Sequence, residues 1–509
     1  MALWDHELNT LFLTRDRLGE KPLYYGWIQG FFAFGSELKA IQALPDFSNP
    51  LDKGALNLFF RHSCVPAPFT PFQNVFKLPP GSFLEVSIND FKNPKVKKYW
   101  SAREICESGT LQSFSGTFEE AKSELHSLLK DAVKIRMEAD VPLGAFLSGG
   151  IDSSLVVSLM QTQSTQPIKT FSIGFEESAF NEAPFAREVS RHLGTQHTEL
   201  TLTSGEAQSV IPLISTIYDE PFSDPSQIPT YLVSKLAKEH VTVSLSGDGG
   251  DELFAGYNRY LWGKSFWNQF GTAHPLFKKQ LATILDSIKP QFWDHFFKSI
   301  ERFLPQNMRW DSPGEKIQKL VEVLKVRDSQ ELYITLTSHF NPPSTVTLFS
   351  EEPETLVNQS SAWPSFEDPI QRMMYFDLVT YLPDDILVKV DRASMRVSLE
   401  GRMPLLDPRI VEFAWKLPLS FKIQGNEGKS ILRSLLRDYL PPSLFERPKM
   451  GFSVPVGHWI RSGLKDWAEN LLSENRLRQE GFFNVESVRK IWKSIFRVKE
   501  TGNTSFGIS

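Results

Sequence analysis

The sequence predicts an α/β protein: a doubly wound parallel sheet with helical additions, preceded by a β-rich N-terminal part. Three observations predict it. Between about residues 117 and 261, short apolar runs alternate with single segments of helical spacing, as parallel strands joined by crossover helices do. Two of those runs end in glycine- and serine-rich loops, at Ser148 and at Ser246, where strands of such a sheet offer their C-terminal ends to a ligand. Before residue 95 the pattern is different, with short aromatic runs separated by turns.

The elements follow in order. Leu11-Phe12-Leu13-Thr14, Leu23-Tyr24-Tyr25-Gly26-Trp27, Phe31-Phe32-Ala33-Phe34 and Ser82-Phe83-Leu84-Glu85-Val86 read as strands, with Pro79-Pro80-Gly81 as a turn. A connection of roughly residues 90–115 separates this part, 1–95, from a second domain, 115–509. From Phe118 to Met137 apolar residues recur at helical spacing. Pro142–Leu147 then reads as strand, Ser153–Gln163 as helix, Ile168–Phe175 as strand and Ala183–Leu193 as helix. His197–Leu202, Ile228–Lys238 and Val241–Ser246 continue as strand, helix, strand, giving a core over about 117–261. The rest, about 262–509, is helical; it is Trp- and Phe-rich up to residue 375 and carries no motif there to which chemistry attaches.

Composition sets the class. The chain has 509 residues, 41% hydrophobic and 23% charged, with a net charge of −5, as an ordinary globular protein of two to four domains does. The densest basic patch, Lys92 to Lys98, reads as a solvated face, so no nucleic-acid partner is expected. Two cysteines, Cys64 and Cys106, stand far from any C-x-x-C spacing and exclude a disulfide scaffold or a cysteine zinc site. With no apolar run of spanning length and no basic N-terminal signal, the expectation is a cytoplasmic protein without a membrane partner.

Chemistry concentrates in four stretches. In Leu147-Ser148-Gly149-Gly150-Ile151-Asp152-Ser153, glycines let the backbone approach an anion and the following helix start points N–H groups at it. Serine hydroxyls add donors, and Asp152 could hold a metal on the same phosphates. There is no Gly-Lys-Ser/Thr, so this is not the common P-loop. In Ser246-Gly247-Asp248-Gly249-Gly250-Asp251-Glu252, three carboxylates repel unless a cation neutralises them. The plainer alternative is an acidic turn capping a helix. From Asp384 to Asp407, charges interrupt an apolar pattern, which suits either a networked polar site or a solvated helix face. In Gly428-Lys429-Ser430, Ile423 stands where a P-loop needs its first glycine. Lys429 by itself reads as a surface lysine, although it could reach a phosphate as a point charge.

Together these stretches resemble the asparagine synthetase family, the class II glutamine-dependent amidotransferases. The likeness runs over essentially the whole chain. It includes Arg15-Asp16-Arg17-Leu18-Gly19-Glu20-Lys21-Pro22, Phe171-Ser172-Ile173-Gly174-Phe175, Asp219-Glu220-Pro221-Phe222 and Arg447-Pro448-Lys449-Met450-Gly451-Phe452. The resemblance implies an ATP pyrophosphatase core after a partial N-terminal-nucleophile hydrolase domain, and a homodimer is compatible with it. It implies Mg²⁺ and ATP, adenylation of a carboxylate, aspartate by preference, and displacement of AMP by ammonia, free or derived from glutamine. By position, Ser148, Gly149, Gly150, Ile151, Asp152 and Ser153 would hold pyrophosphate, while Leu147, Ile173, Ser246 and Gly247 would touch adenosine. Asp152 and Asp251 would bind Mg²⁺, and Lys429 would stabilise the charge of departing pyrophosphate. Asp248 stands where relatives often carry a glutamate implicated in forming the acyl-adenylate; Glu400, counted as catalytic with Asp248 and Lys429, and Arg402 fall near the acyl site.

The chain also departs from the family. The glutaminase needs a cysteine directly after the initiator Met, with its free amine as base, and here Ala2 follows Met1. Neither Cys64 nor Cys106 can present a terminal amine. Met1 to Asp5 resembles a point inside the glutaminase domain, and Gly502 to Ser509 stops before the relatives' Trp-rich final helix. The expectation is a chain shortened at both ends, with an intact synthetase half and an inactive glutaminase half. The rivals are an amidotransferase acting on a sugar uronic acid in surface polysaccharide assembly and a non-catalytic nucleotide-binding remnant.

Overall fold

The computed structural model describes residues 1–177, 181–270, 273–300, 313–447 and 451–496. Pro448–Met450 of the Arg447 motif and the C-terminal Gly502–Ser509 lie outside the described residues. The chain divides into two compact units. One comprises Met1–Tyr257, Glu351–Leu356 and Ser361–Val454; the other comprises Asn258–Ser350, Val357–Ser360 and the residues from Pro455 onward.

The first unit opens with two antiparallel sheets. β1 (Ala2–Asp5), β2 (Thr10–Thr14), β6 (Ser82–Ser87) and β7 (Lys95–Lys98) form one in the order β1-β2-β6-β7. β3 (Tyr24–Ile28), β4 (Phe31–Gly35) and β5 (Val75–Lys77) form the other in the order β4-β3-β5. Burial alternates along β6, with Ser82, Leu84 and Val86 inward, as a sheet with one packed face requires. Leu13, Leu84 and Val86 from one sheet cluster with Tyr25 from the other. The Arg15–Pro22 motif is a brace for these sheets. Arg15, buried, donates to the carbonyls of Leu78 at 2.9 Å and Gly19 at 3.2 Å, while Asp16 accepts from the backbone of Gly19 and Glu20. The basic patch runs along the exposed edge strand β7, followed by a helix, Ala102–Leu111, inside the expected connection.

The parallel sheet follows. β8 (Leu143–Phe146), β9 (Lys169–Phe175), β10 (Gln196–Leu202), β11 (Val243–Leu245) and β12 (Glu400–Arg402) lie in the order β10-β9-β8-β11-β12, every pair parallel. From β8 the chain steps outward to β9 and β10, then returns to the other side of β8 for β11. The strand order therefore reverses between β8 and β11, the switch point at whose C-terminal ends ligands of doubly wound sheets bind. The helix Phe118–Met137 begins at a capping box of Thr117 and Glu120 and buries Ala121, Leu125, Leu129 and Ala132. β12 comes from far along the chain. A wide π-helical stretch, Asp377–Ile386 with Pro383 inside it, leads into the helix Leu387–Met395 and then into β12.

The second unit is helical, beginning with Asn258–Phe270 and Pro275–Asp286, with Leu332 and Tyr333 buried on the helix Ser329–Thr337. Among the described residues no helix is long and apolar enough to cross a membrane.

One core lysine of the first unit makes a stability prediction. Lys422 is 1% exposed, with its ammonium 5.0 Å from the ring centroid of buried Trp415. Burial pushes its pKa down to about 7, against a weak opposing pull from Cys106. A lysine with a depressed folded pKa contributes its full stability above the unfolded value of 10.5 and loses it as the pH falls through about 7. Lys422→Met is therefore expected to raise stability at pH 7 by on the order of a few kcal/mol. The gain over the parent should shrink toward pH 10, and denaturant unfolding of both proteins across pH 7–10 measures it. A constant difference would refute the burial argument.

Candidate active site

The first loop leaves β8 at Leu147, whose N–H donates to the carbonyl of Phe171 at 2.9 Å. That bond holds Leu147 beside β9 and brings Ile173, buried on β9, to the same edge of the sheet. Gly149 takes a left-handed φ of +72°, and a Cβ there would stand 2.9 Å from the backbone of Phe185 and Ala186. Only glycine allows the loop to turn so close to the helix Ala183–Leu193. Ser148 and Ser153 join hydroxyls at 2.9 Å, closing the loop, and the N–H of Gly150 donates to Ser148 Oγ at 3.2 Å. The helix Ile151–Thr162 starts here with Gly150 as its N-cap and no side chain capping it, which leaves its first N–H groups for an anion.

The second loop leaves β11 at Ser246, whose N–H donates to the carbonyl of Arg402 on β12 at 3.0 Å. A Cβ on Gly247 would lie 2.7 Å from Ser153 N, and one on Gly250 would lie 2.5 Å from the Asp152 carboxylate. The glycines of the second loop therefore let it press against the first. Ser246 Oγ donates to Asp248 at 2.7 Å, and burial raises the pKa of that carboxyl. Asp251 lies one turn on, in the short helix Gly250–Leu253. Beside it, Glu252 is pushed up to about 7 by burial and by Asp251, against the Tyr257 hydroxyl that donates to it.

Lys429 completes the cluster. It sits at the N-cap of the helix Ser430–Leu436 in the left-handed region, φ 58°, anchored by its N–H to the carbonyl of Phe254 at 2.9 Å. Its side chain is buried and pairs with both Asp152 and Asp251, the latter at 2.8 Å. Burial opposes its charge, but the two carboxylates outweigh burial and hold its pKa above the usual lysine range. This is the opposite of the surface lysine that its local sequence suggests.

Behind the second loop lies a buried charge network. Lys389 pairs with Asp224 at 2.8 Å. Burial alone would raise Asp224, but Lys389 and further hydrogen bonds hold it down at about 2. Asp384, Asp385, Asp391 and Arg392 are buried as well, so the 384–407 stretch is the networked alternative and not a solvated helix face. No motif in the sequence singles out Asp224. Its only signal is an aspartate before Pro225 in a loop between two helices.

Of the predicted site residues, Leu147, Ser148, Gly149, Gly150, Ile151, Asp152, Ser153, Ile173, Ser246, Gly247, Asp248, Asp251 and Lys429 all gather at the sheet's C-terminal edge. Glu400 does not. It opens β12, opposite Val243 at the start of β11, and its exposed side chain pairs with Arg402 at 2.7 Å. Cys64 and Cys106 are buried free thiols that burial pushes well up, so neither offers a thiolate.

The donor set fits a hard divalent cation. Asp152 and Asp251 supply carboxylate oxygens that already share a cation, the lysine ammonium. Among the described residues no cluster of three or more His, Cys, Asp or Glu could hold a metal unaided. Mg²⁺ commonly takes one or two carboxylates and completes its shell with phosphate and water.

The family model described as asparagine synthase matches residues 124–505, and the one described as glutamine amidotransferase domain matches residues 1–100. The chain is 32% identical over 479 residues to asparagine synthetase [glutamine-hydrolyzing] 1 of Bacillus subtilis, covering 93% of this chain and 70% of that protein. It is 32% identical over 482 residues to a putative asparagine synthetase [glutamine-hydrolyzing] of Mycobacterium bovis, covering 92% and 68%. Over 263 residues, 51% of this chain and 49% of the other, it is 41% identical to putative asparagine synthetase [glutamine-hydrolyzing] 2 of Methanocaldococcus jannaschii.

Proposed function

The chain belongs to the asparagine synthase family, and from that membership and its active-site geometry we propose that it is a ligase that uses ATP to amidate aspartate. The observation that carries the reading is Lys429, buried between Asp152 and Asp251 where the two loops meet. A buried lysine beside an uncapped helix N-terminus, with two carboxylates able to take a divalent cation, suits a metal-bound polyphosphate.

In this reading the Ser148–Ser153 loop holds the β- and γ-phosphates, while Leu147, Ile173, Ser246 and Gly247 pack against adenosine. Asp152 and Asp251 would hold Mg²⁺, which when bound neutralises phosphate charge. A carboxylate oxygen of aspartate attacks the α-phosphorus, the bond to the β-phosphate oxygen breaks, and pyrophosphate leaves toward Lys429. The ammonium of Lys429 is in place before that charge develops, so little reorganisation is needed. Ammonia then attacks the carbonyl of the acyl-adenylate, and AMP leaves carrying the former carboxylate oxygen. Asp248, a neighbour of the acyl site whose pKa burial raises, is poised to exchange a proton with the incoming nitrogen. Glu400, exposed and paired with Arg402, takes no part in this proposal. We assign residues 1–95 to the amidotransferase part and 115–509 to the synthetase part.

The test is a single incubation of purified protein with ATP, Mg²⁺, ammonium and ¹⁸O-labelled aspartate. Asparagine, pyrophosphate and ¹⁸O in the AMP phosphate are expected in equal amounts. An amide formed only from a uronic acid would replace aspartate as acceptor. No ATP consumption with any acid would sink the ligase reading.

A further inference from the structure

The Arg447 motif has a structural relation to the phosphate loop that the site above does not use. The Arg447 guanidinium stacks on the Phe185 ring, with its carbon 3.8 Å from the ring centroid. Nη2 donates to the carbonyl of Ser148 at 3.3 Å and lies 4.0 Å from a Glu182 carboxylate oxygen, a loose ion pair. Nε and Nη1 are buried and have no hydrogen-bond partner among the described residues. A guanidinium is a planar fork of five N–H donors, and leaving buried charged donors unmet costs stability. Burial lowers the pKa of this arginine, and Glu182 opposes the shift. Phe185 fixes the plane of the fork, and the same residue packs against Gly149, so fork and loop are held in one register.

We propose that Arg447 is a further phosphate-binding residue, a fork that engages the terminal phosphates of ATP and retains pyrophosphate at the Ser148 loop. The proposal rests on the ATP-dependent reading above. It divides the phosphate site between two cations of different kinds. Lys429 is a point charge held by two carboxylates, whereas Arg447 offers directed donors that no described residue engages. Oxygens of a polyphosphate are acceptors of the matching kind.

The test uses inorganic pyrophosphate with Mg²⁺ as the probe, read by calorimetry and by thermal shift on the whole chain. Arg447→Met keeps the length of the side chain and removes the unmet donors. Its free form is expected to melt at or above the temperature of the parent, while pyrophosphate affinity falls about tenfold or more. Arg447→Lys keeps the charge without the fork and should recover only part of that affinity. Unchanged affinity in Arg447→Met would overturn the proposal. So would a free Arg447→Met protein that melts several degrees lower together with an Arg447→Lys protein that binds like the parent, since a structural cation would then suffice. Failure of the parent itself to bind pyrophosphate or ATP would instead overturn the ATP-dependent reading, and this proposal with it.

Discussion

Lys429→Met is expected to lower the rate of amide formation about a hundredfold or more, on the order of 3 kcal/mol in the barrier, and to melt at a lower temperature. Both effects come from the same two contacts. Lys429 Nζ is the cation shared by Asp152 and Asp251, and all three side chains are largely buried. Removing one partner of buried ion pairs leaves uncompensated charge, which costs about 3 to 5 kcal/mol where the site cannot take up water. The carboxylates would respond by holding protons more tightly. Their folded pKa values would then exceed the unfolded ones, so the deficit should be small near pH 4 and grow as the pH rises through the raised values.

Two further variants separate charge from backbone. Lys429 has a left-handed backbone, which glycine adopts without penalty. Lys429→Gly therefore relieves any backbone cost while still losing the ammonium, and should fail as Lys429→Met does. Lys429→Arg keeps the charge, but a Cβ added at Gly256 would already stand 2.9 Å from Lys429 Nζ, so a planar head has little room and should not fully rescue. Rates with ammonia and the acceptor acid, set beside melting curves of the same proteins, decide the matter. A stable Lys429→Ala protein with an unchanged rate would remove the lysine from the chemistry.

The parallel sheet is legible in the sequence because its signals are local. Thr117 and Glu120 mark the start of the Phe118–Met137 helix, and the apolar runs of β8 and β11 each end in a glycine-bearing loop. Of the strands that escape reading, β5 is only three residues long, Val75-Phe76-Lys77, and the others have no such signal. β12 is Glu-Gly-Arg, with no apolar pattern at all, and becomes a strand only because β11 supplies its ladder. β1 and β7 are edge strands with mostly exposed side chains. The site follows the same division. The two glycine loops announce themselves, since each is a contiguous run with its function in its own backbone. Lys429 does not, because what buries it are carboxylates far away in the chain. Glu400 shows the converse: neighbours rich in charge suggest a site, but the register of β12 puts it opposite the start of β11. The ion pair of Asp224 with Lys389 and the unengaged donors of Arg447 are properties of the packed structure and have no counterpart in local sequence.

Asp152→Asn and Asp251→Asn are expected to abolish ATP–pyrophosphate exchange, by about a thousandfold or more in rate, without lowering stability much. The difference from Lys429→Met lies in the charge count. Asp152 and Asp251 together carry two negative charges against the single positive charge of Lys429, so the pair-and-lysine cluster has one carboxylate in excess. Replacing either carboxylate by an amide leaves a neutral pair and keeps a side chain of the same shape. Stability should therefore change by no more than about 1 kcal/mol, with either sign. Activity should not survive, since a neutral amide is a poor ligand for a hard divalent cation and the negative phosphates would lose their counter-charge. Raising Mg²⁺ or offering Mn²⁺ should recover part of the exchange in either variant if the carboxylates act through a metal. If they serve only to hold Lys429, both variants should keep exchange activity and show no dependence on added metal beyond that of the parent. Exchange measured across a metal titration, with unfolding curves as the control, separates these outcomes. Near-normal exchange in one variant would take that residue out of the metal site and leave its partner in place.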